Sequence, residues 1–375
     1  MDITTTHKNN DIFMEFCKNN NITSKNKIGL FVHPETNWFL ELETIFSYFS
    51  PQIYKLDIDL THEDLCEYVD KSELDAIFTL KDHINIVEKI LWSCPKLKKV
   101  IILDSDVVPY EENILMSPKL WNMISINAQD EIAGGAWINS YTRELLTPME
   151  VNECIENVFI KLQPYLNPEV KVLEIGCSFG ITMYKISPYT KLYCAIDISK
   201  IAIEHNAKKN KDLNLNNIEL HILPADRINE IPHNDFDIII INSVVQLFHG
   251  YQYLKDVINQ CIKKIKKEGI IFIGDIMDFD LKTNLENSLL EFKQSNPQYN
   301  TKTNFDNELF ISKSFFSCIK CDIPQVSDFV ITPKIFTIKN ELTEFRYDCL
   351  LDIKKRSNEN ANIQQRQILA IDILK

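Results

Sequence analysis

The sequence predicts an α/β protein of two domains, the larger a mostly parallel sheet with a ligand crevice at its strand ends. Three observations carry that prediction. An apolar run over 172–175, continuous as in a strand covered on both faces, holds Glu174 and runs straight into a turn containing Gly176 and Gly180. About 20 residues on, a second apolar run over 192–196 ends in Asp197, where a carboxylate can accept both hydroxyls of a ribose. Upstream, residues 27–106 alternate between strand-like and helical periods, the pattern of a second, smaller parallel sheet.

The glycine turn alone is a weak signal, because structural strand-to-helix turns also use glycine. The runs that follow strengthen it. A third strand over 218–223 ends in Pro224, Ala225 and Asp226, a fourth over 236–241 ends in Asn242, and a fifth over 270–273 follows a turn at 267–269 and ends in Gly274 and Asp275. In an open parallel sheet the ligand lies beyond the carboxyl ends of the strands, so Glu174, Asp197, Asp226 and Asn242 are expected to converge. No Lys-Ser/Thr pair of a phosphate-binding loop is present, and three carboxylates would repel a pyrophosphate. A neutral or cationic adenosine ligand suits them better.

These residues resemble the class I S-adenosylmethionine-dependent methyltransferases, whose first motif is an acidic residue followed by glycines, with later carboxylates on ribose and adenine. The segments 135–142, 242–248, 269–275 and 340–348 narrow the likeness to methyltransferase domains embedded in nonribosomal peptide synthetases. It runs from about 133 to 353, with the motifs in the same order. The resemblance implies a Rossmann-like domain over 148–355 with a seven-stranded, mostly parallel sheet. It implies S-adenosylmethionine as cofactor, S-adenosylhomocysteine as product, and methylation of the α-amine of an aminoacyl or peptidyl group held on a carrier protein. It further implies cofactor contacts from Glu174, Gly176, Cys177, Ser178, Gly180, Asp197, Ile198, Asp226, Arg227, Asn242 and Ser243. Two positions depart from the family pattern: Ser178 and Arg143 each stand where glycine is usual. The first bears on the turn, the second on the substrate entrance.

Ahead of the domain, residues 1–26 are polar and asparagine-rich, and read as a frayed arm with a short amphipathic piece at 12–17. Strands are expected over 28–32, 53–58, 76–80 and 100–103, and helices over 38–49, 62–69 and 84–92. This smaller Rossmann-like domain has one glycine, Gly29, and no glycine-rich turn, so docking, dimerisation or substrate enclosure suits it better than a second cofactor site. Residues 107–147 form a linker and lid, with a helix at 118–127 and a flexible joint at Gly134 and Gly135. Pro148 opens a helix to about 162. Trp137, Tyr141, Arg143, Gln246 and Phe248 are expected at the substrate, although Trp137 equally suits packing at an interface and Tyr141 does so less well. A helix over 279–292 and two edge strands, 326–331 and 342–353, complete the larger sheet. The tail, 356–375, reads as polar and then helical.

Composition sets the remaining bounds. A net charge of −13 argues against general nucleic-acid binding, and neither a membrane-length apolar run nor a signal pattern is present, so a cytosolic protein is expected. Ten scattered cysteines favour reduced core thiols; Cys318 and Cys321 have the spacing of half a zinc site with nothing to complete it, so no metal is expected. Methyl transfer needs positioning and exclusion of water, with Tyr141, His249, Glu341 or Asp275 as candidates to orient the acceptor or relay its proton. Arg346 better suits an internal ion pair. Two other readings remain: an O- or C-methyltransferase of free small molecules, and a non-catalytic cofactor-binding scaffold. No adenylation core is legible in the sequence, so the resemblance implies a methyltransferase that acts in trans or is a segment of a larger protein, and a homodimer is one open assembly.

Overall fold

In the computed structural model, the described residues are 3–33, 46, 51–108, 113–355 and 365–373, with side chains from residue 11 onward. They contain twelve strands: β1 (Lys27–Phe31), β2 (Gln52–Lys55), β3 (Ala76–Thr79), β4 (Lys99–Ile102), β5 (Lys171–Ile175), β6 (Leu192–Asp197), β7 (Ile218–Ile222), β8 (Phe236–Asn242), β9 (Ile265–Met277), β10 (Val326–Pro333), β11 (Arg346–Lys354) and β12 (Gln367–Ala370). Among these residues no helix is long and apolar enough to cross a membrane.

The chain divides into two compact units. One takes Met1–Glu111, Ser314–Ile323 and Asn360–Lys375; the other takes Glu112–Lys313 and Pro324–Glu359. The first is a five-stranded sheet in the order β12-β4-β3-β1-β2, parallel throughout. The four strands expected from sequence form here. The helix expected over 38–49 lies outside the described residues apart from the buried Phe46.

Three expectations for this unit are corrected. The N-terminal arm is a helix, Ile3–Asn19, whose Phe13 and Cys17 fall one turn apart and enter the core beside Ile28, Phe46 and Phe78. Phe13 meets Phe46 edge-on, with ring centroids 5.6 Å apart. The tail yields no helix among its described residues; it adds β12 alongside β4 and buries Ile371 and Ile373 in the same core. The third is the helix Lys313–Asp322, read from its neighbours in sequence as part of the larger domain. Its Phe315 packs edge-on against Trp92, and its Asp322 pairs with the fully buried Arg366.

The second unit is a seven-stranded sheet in the order β10-β11-β9-β8-β5-β6-β7. Strands β5 to β9 pair in parallel, and the β10–β11 antiparallel hairpin closes one edge, as expected. From β5 the chain builds outward through β6 and β7 on one side and then crosses over to β8 and β9 on the other, so the strand order reverses at β5 and leaves a crevice at the carboxyl ends. The apolar runs fill the core: Val172, Tyr193, Ile238, Ile240 and Phe272 are buried in one cluster with Met183 and Val158.

Local chemistry sets the element ends. Pro148 occupies the first turn of helix Pro148–Leu162, and Thr147 and Glu150 exchange side-chain and backbone hydrogen bonds in a capping box. The residues expected to turn at 267–269 instead continue β9, because β11 extends far enough to pair with them. Conversely, 341–344 leave the expected strand for a short helix, Glu341–Glu344, capped by Asn340 through its side chain.

Candidate active site

The carboxyl ends of β5, β6 and β8 open onto a cavity of about 360 Å³. At its base Glu174 is buried, and Tyr193 donates its hydroxyl to Oε2 at 3.0 Å. Burial pushes the Glu174 carboxyl up to about 8, and nearby Asp197 adds to the rise, so this side chain is neutral over most of the physiological range. Asp197 is also raised by burial, against the pull of the backbone amides that it accepts: Ser178 N–H on Oδ2 at 2.8 Å and Ser199 N–H on Oδ1 at 2.7 Å. Each oxygen thus keeps acceptor capacity.

The turn between β5 and helix Ile181–Ile186 departs from ordinary backbone. Gly176 and Gly180 lie at φ +78° and +80°, and Ser178 lies at +45°. Ser178 Oγ donates to the Gly134 carbonyl at 3.1 Å, tying the segment before β5 to the turn. Gly134 is therefore a packing site and not the flexible joint expected: a Cβ there would stand 2.6 Å from the Phe179 ring. Phe179 in turn stacks on His205 at 4.2 Å.

The opposite wall rests on buried charge. Ser243, at φ +56°, donates Oγ to Asp275 Oδ2 at 2.6 Å, and Arg346 Nη1 donates to the same oxygen at 2.6 Å. Lys334 reaches both Asp275 (3.1 Å) and Asp348 (2.9 Å), and Lys161 and Asn157 hold the second oxygen of Asp348. Burial pushes the Asp275 carboxyl upward, but Arg346 and Lys334 outweigh it and hold it well below the usual carboxylate range. Asp348 is depressed in the same way by Lys334 and Lys161. Arg346 has the internal ion pair expected of it, and it also lines the cavity.

Of the expected site residues, thirteen line the cavity: Glu174, Gly176, Cys177, Ser178, Asp197, Ile198, Asn242, Ser243, Trp137, Arg143, Gln246, Phe248 and Asp275. Gly180 sits behind the turn as the cap of helix Ile181–Ile186. Five placements are corrected. Asp226 is exposed and accepts the Tyr253 hydroxyl at 3.1 Å, and Arg227 pairs with Glu230 on the same short turn. Tyr141 gives its hydroxyl to a 2.8 Å hydrogen bond with Ser288 and packs edge-on against Phe292. His249 Nδ1 accepts the Asn113 amide at 3.0 Å. Glu341 accepts the Ser140 amide at 3.0 Å, which braces the segment carrying Trp137 and Arg143. Sequence reasoning missed Leu223 and Ala225 on the β6–β7 side, Leu115 and Trp121 before β5, and the lysines that support Asp275 and Asp348 from outside the lining. Leu223 and Ala225 stand within the quoted third strand and its end, whereas the others lie outside every quoted motif.

Residues 173–271 match the family model of a methyltransferase domain. The chain is 32% identical over 226 residues to chondramide synthase cmdD of Chondromyces crocatus, covering 58% of this chain and 6% of that protein. It is 28% identical over 184 residues to the probable non-canonical nonribosomal peptide synthetase CymA of Salinispora arenicola, covering 48% of this chain and 2% of that protein. Over 241 residues it is 25% identical to enniatin synthase of Fusarium equiseti, covering 60% of this chain and 8% of that protein. Among solved structures it is similar to the N-methyltransferase NodS of Bradyrhizobium japonicum, with 12% identity, a TM-score of 0.43, and coverage of 65% of this chain and 100% of that one. The matched segment spans β5 into β9, the strands that carry the cavity, so the chain contains a methyltransferase domain there, related in sequence to segments of much longer proteins that include nonribosomal peptide synthetases.

Proposed function

We propose that the cavity binds S-adenosylmethionine and that the chain methylates the α-amine of an aminoacyl or peptidyl group held on a carrier protein. The observation that supports the acceptor class is the likeness over 184 residues, at 28% identity, to a segment of a probable nonribosomal peptide synthetase, beside the 32% likeness to chondramide synthase. The cavity's donor set fits the cofactor. Asp197 keeps a lone pair on each oxygen for two ribose hydroxyls, Ile198, Leu223 and Ala225 offer an apolar wall to a base, and the neutral Glu174 lies beneath without repelling a carboxylate. When bound, S-adenosylmethionine supplies an electrophilic methyl on a sulfonium cation.

The chain's own residues then position and enclose. Asn242 and Ser243 line the wall toward Asp275, while Trp137, Gln246 and Phe248 shape the acceptor side and exclude water. Tyr141, His249 and Glu341 do not line the cavity. Asp275 lines it but is held ionised by two cations, which makes it a weak base. The amine therefore enters as its free base, having lost its proton to solvent. Arg143 stands exposed in the lining, without an ion-pair partner among the described residues, and suits an acidic carrier at the mouth.

Incubation with S-adenosylmethionine and an aminoacyl-loaded carrier, followed by mass spectrometry of the phosphopantetheine-linked fragment, tests the reading. A new methyl on the linked nitrogen is expected. Methylation at oxygen or carbon, or of free amino acid alone, would overturn the acceptor assignment and leave the small-molecule reading.

A further inference from the structure

Outside the cavity, the first unit brings two thiols, an imidazole and a hydroxyl together. Helix His62–Ser72 places His62 and Cys66 four residues apart on one face, and helix Ile84–Ser93 ends beside them at Ser93 and Cys94. His62 Nε2 lies 3.3 Å from Cys66 Sγ and 3.2 Å from Ser93 Oγ. Cys94 Sγ donates to the Cys66 carbonyl at 3.7 Å and is also in hydrogen-bond reach of the Cys66 sulfur. Of the ten free cysteines, eight are buried and Cys321 is exposed; Cys66 alone is half-buried, with the His62 imidazole beside it as a proton partner.

We propose that Cys66 is a nucleophilic thiol, oxidised by hydroperoxides and resolved by Cys94 into a local disulfide. Cys66 thiolate attacks the distal peroxide oxygen, the O–O bond breaks, and hydroxide leaves from hydrogen peroxide, giving a Cys66 sulfenic acid. The Cys94 thiol then displaces the sulfenic oxygen: the S–S bond forms, the S–O bond breaks, and water leaves with the Cys94 proton. The peroxide is the two-electron oxidant, and both sulfurs end oxidised by one electron each.

The electrostatics agree with that division of labour. The hydrogen bond from Cys94 outweighs burial, and with the bond and charge of His62 it draws the Cys66 thiol down to about 6, while Asp70 opposes. Cys94, bonded to Cys66 and buried, is pushed up and stays protonated as the donor.

The full chain is titrated with iodoacetamide from pH 5 to 9, and each cysteine's labelling rate is followed by mass spectrometry. Cys66 should reach half its maximal rate near pH 6, whereas an ordinary thiol does so at about 8.5. Half-maximal labelling of Cys66 at 8 or above, or no labelling in the folded protein, would overturn the proposal. Stoichiometric hydrogen peroxide should yield a Cys66–Cys94 linked peptide in the unaltered chain and none in Cys66→Ser. In a folded Cys94→Ser variant a dimedone adduct should accumulate on Cys66. Oxidation confined to Cys321, with both proposed thiols still reduced, would sink the assignment without any variant.

Discussion

At the scale of single residues, the two departures from the family's glycine pattern have one explanation. Ser178 and Arg143 both hold left-handed backbone, at φ +45° and +63°, so the glycine conformation survives with a side chain on it. Of nine such non-glycine residues among those described, five line the cavity: Ala136, Arg143, Ser178, Ser243 and Asp275. Each costs on the order of 1 kcal/mol, and their concentration at one site is the pattern of strain held for binding. Ser178 offsets part of its cost through the Oγ bond to Gly134. Asp197 invites a direct test. Asp197→Ala removes the two carboxylate oxygens proposed to accept the ribose hydroxyls and strands two backbone amides, so calorimetry should show affinity for S-adenosylmethionine falling about 100-fold, and urea melts a stability loss of about 2–3 kcal/mol. Unchanged affinity in a folded variant would defeat the assignment. Glu174 makes a pH prediction. Its carboxyl is raised in the folded state to about 8, so its contribution to stability is full below the unfolded carboxyl range and is lost as pH climbs through 8. Urea unfolding at pH 5.5 and 8.5 should show a drop that Glu174→Gln reduces by about 2–4 kcal/mol. Equal slopes for both proteins would contradict it.

At the scale of elements, local pattern sufficed where a segment's surroundings are uniform. The strands β5, β6 and β8 lie within a residue or two of their sequence boundaries, because a strand covered on both faces needs apolar residues at every position. Helix Pro148–Leu162 was legible from Pro148, and the structure adds the local cap that Thr147 and Glu150 form without outside help. The tail was not legible. Residues 367–370 read as helix, but a short apolar run does not by itself exclude a strand, and the open backbone edge of β4 pairs it as one. Arg366 fastens that strand: it is fully buried, pairs with Asp322, and donates to the carbonyls of Leu91 (3.1 Å) and Pro95 (2.6 Å). Arg366→Ala leaves Asp322 charged and largely unpaired in the interior, so thermal and urea unfolding should register a loss of about 3–5 kcal/mol. A loss below 1 kcal/mol would mean that the pair is dispensable.

At the scale of the whole molecule, the charge of −13 opposes an acidic partner, which concentrates attention on the few cations in the cavity lining. Lys302 is neutralised by Glu308 and Arg346 by Asp275, whereas Arg143 is exposed and unpaired among the described residues. Arg143→Glu should raise KM for a carrier-held substrate about tenfold, or ~1.4 kcal/mol, while affinity for S-adenosylmethionine stays within about twofold. Steady-state kinetics with carrier-held and free thioester substrates decide it: an equal effect on both would remove the carrier from the explanation.

The sequence by itself determined the two sheets, the crevice at the ends of β5, β6 and β8, and most of the acidic and small residues around it. Those features are written in contiguous runs, and a strand followed by a glycine turn carries its own direction. Only the tertiary structure decided which polar residues enter the cavity. Asp226 and Tyr141 lie near the right strand ends in sequence but are taken by Tyr253 and Ser288. Lys334 and Lys161, distant in the chain, meet under Asp275 and Asp348 because the edge hairpin and helix Pro148–Leu162 carry them there. A hydrogen bond or ion pair depends on separation in space, and residues 187 or more apart in the chain carry no local pattern to announce it.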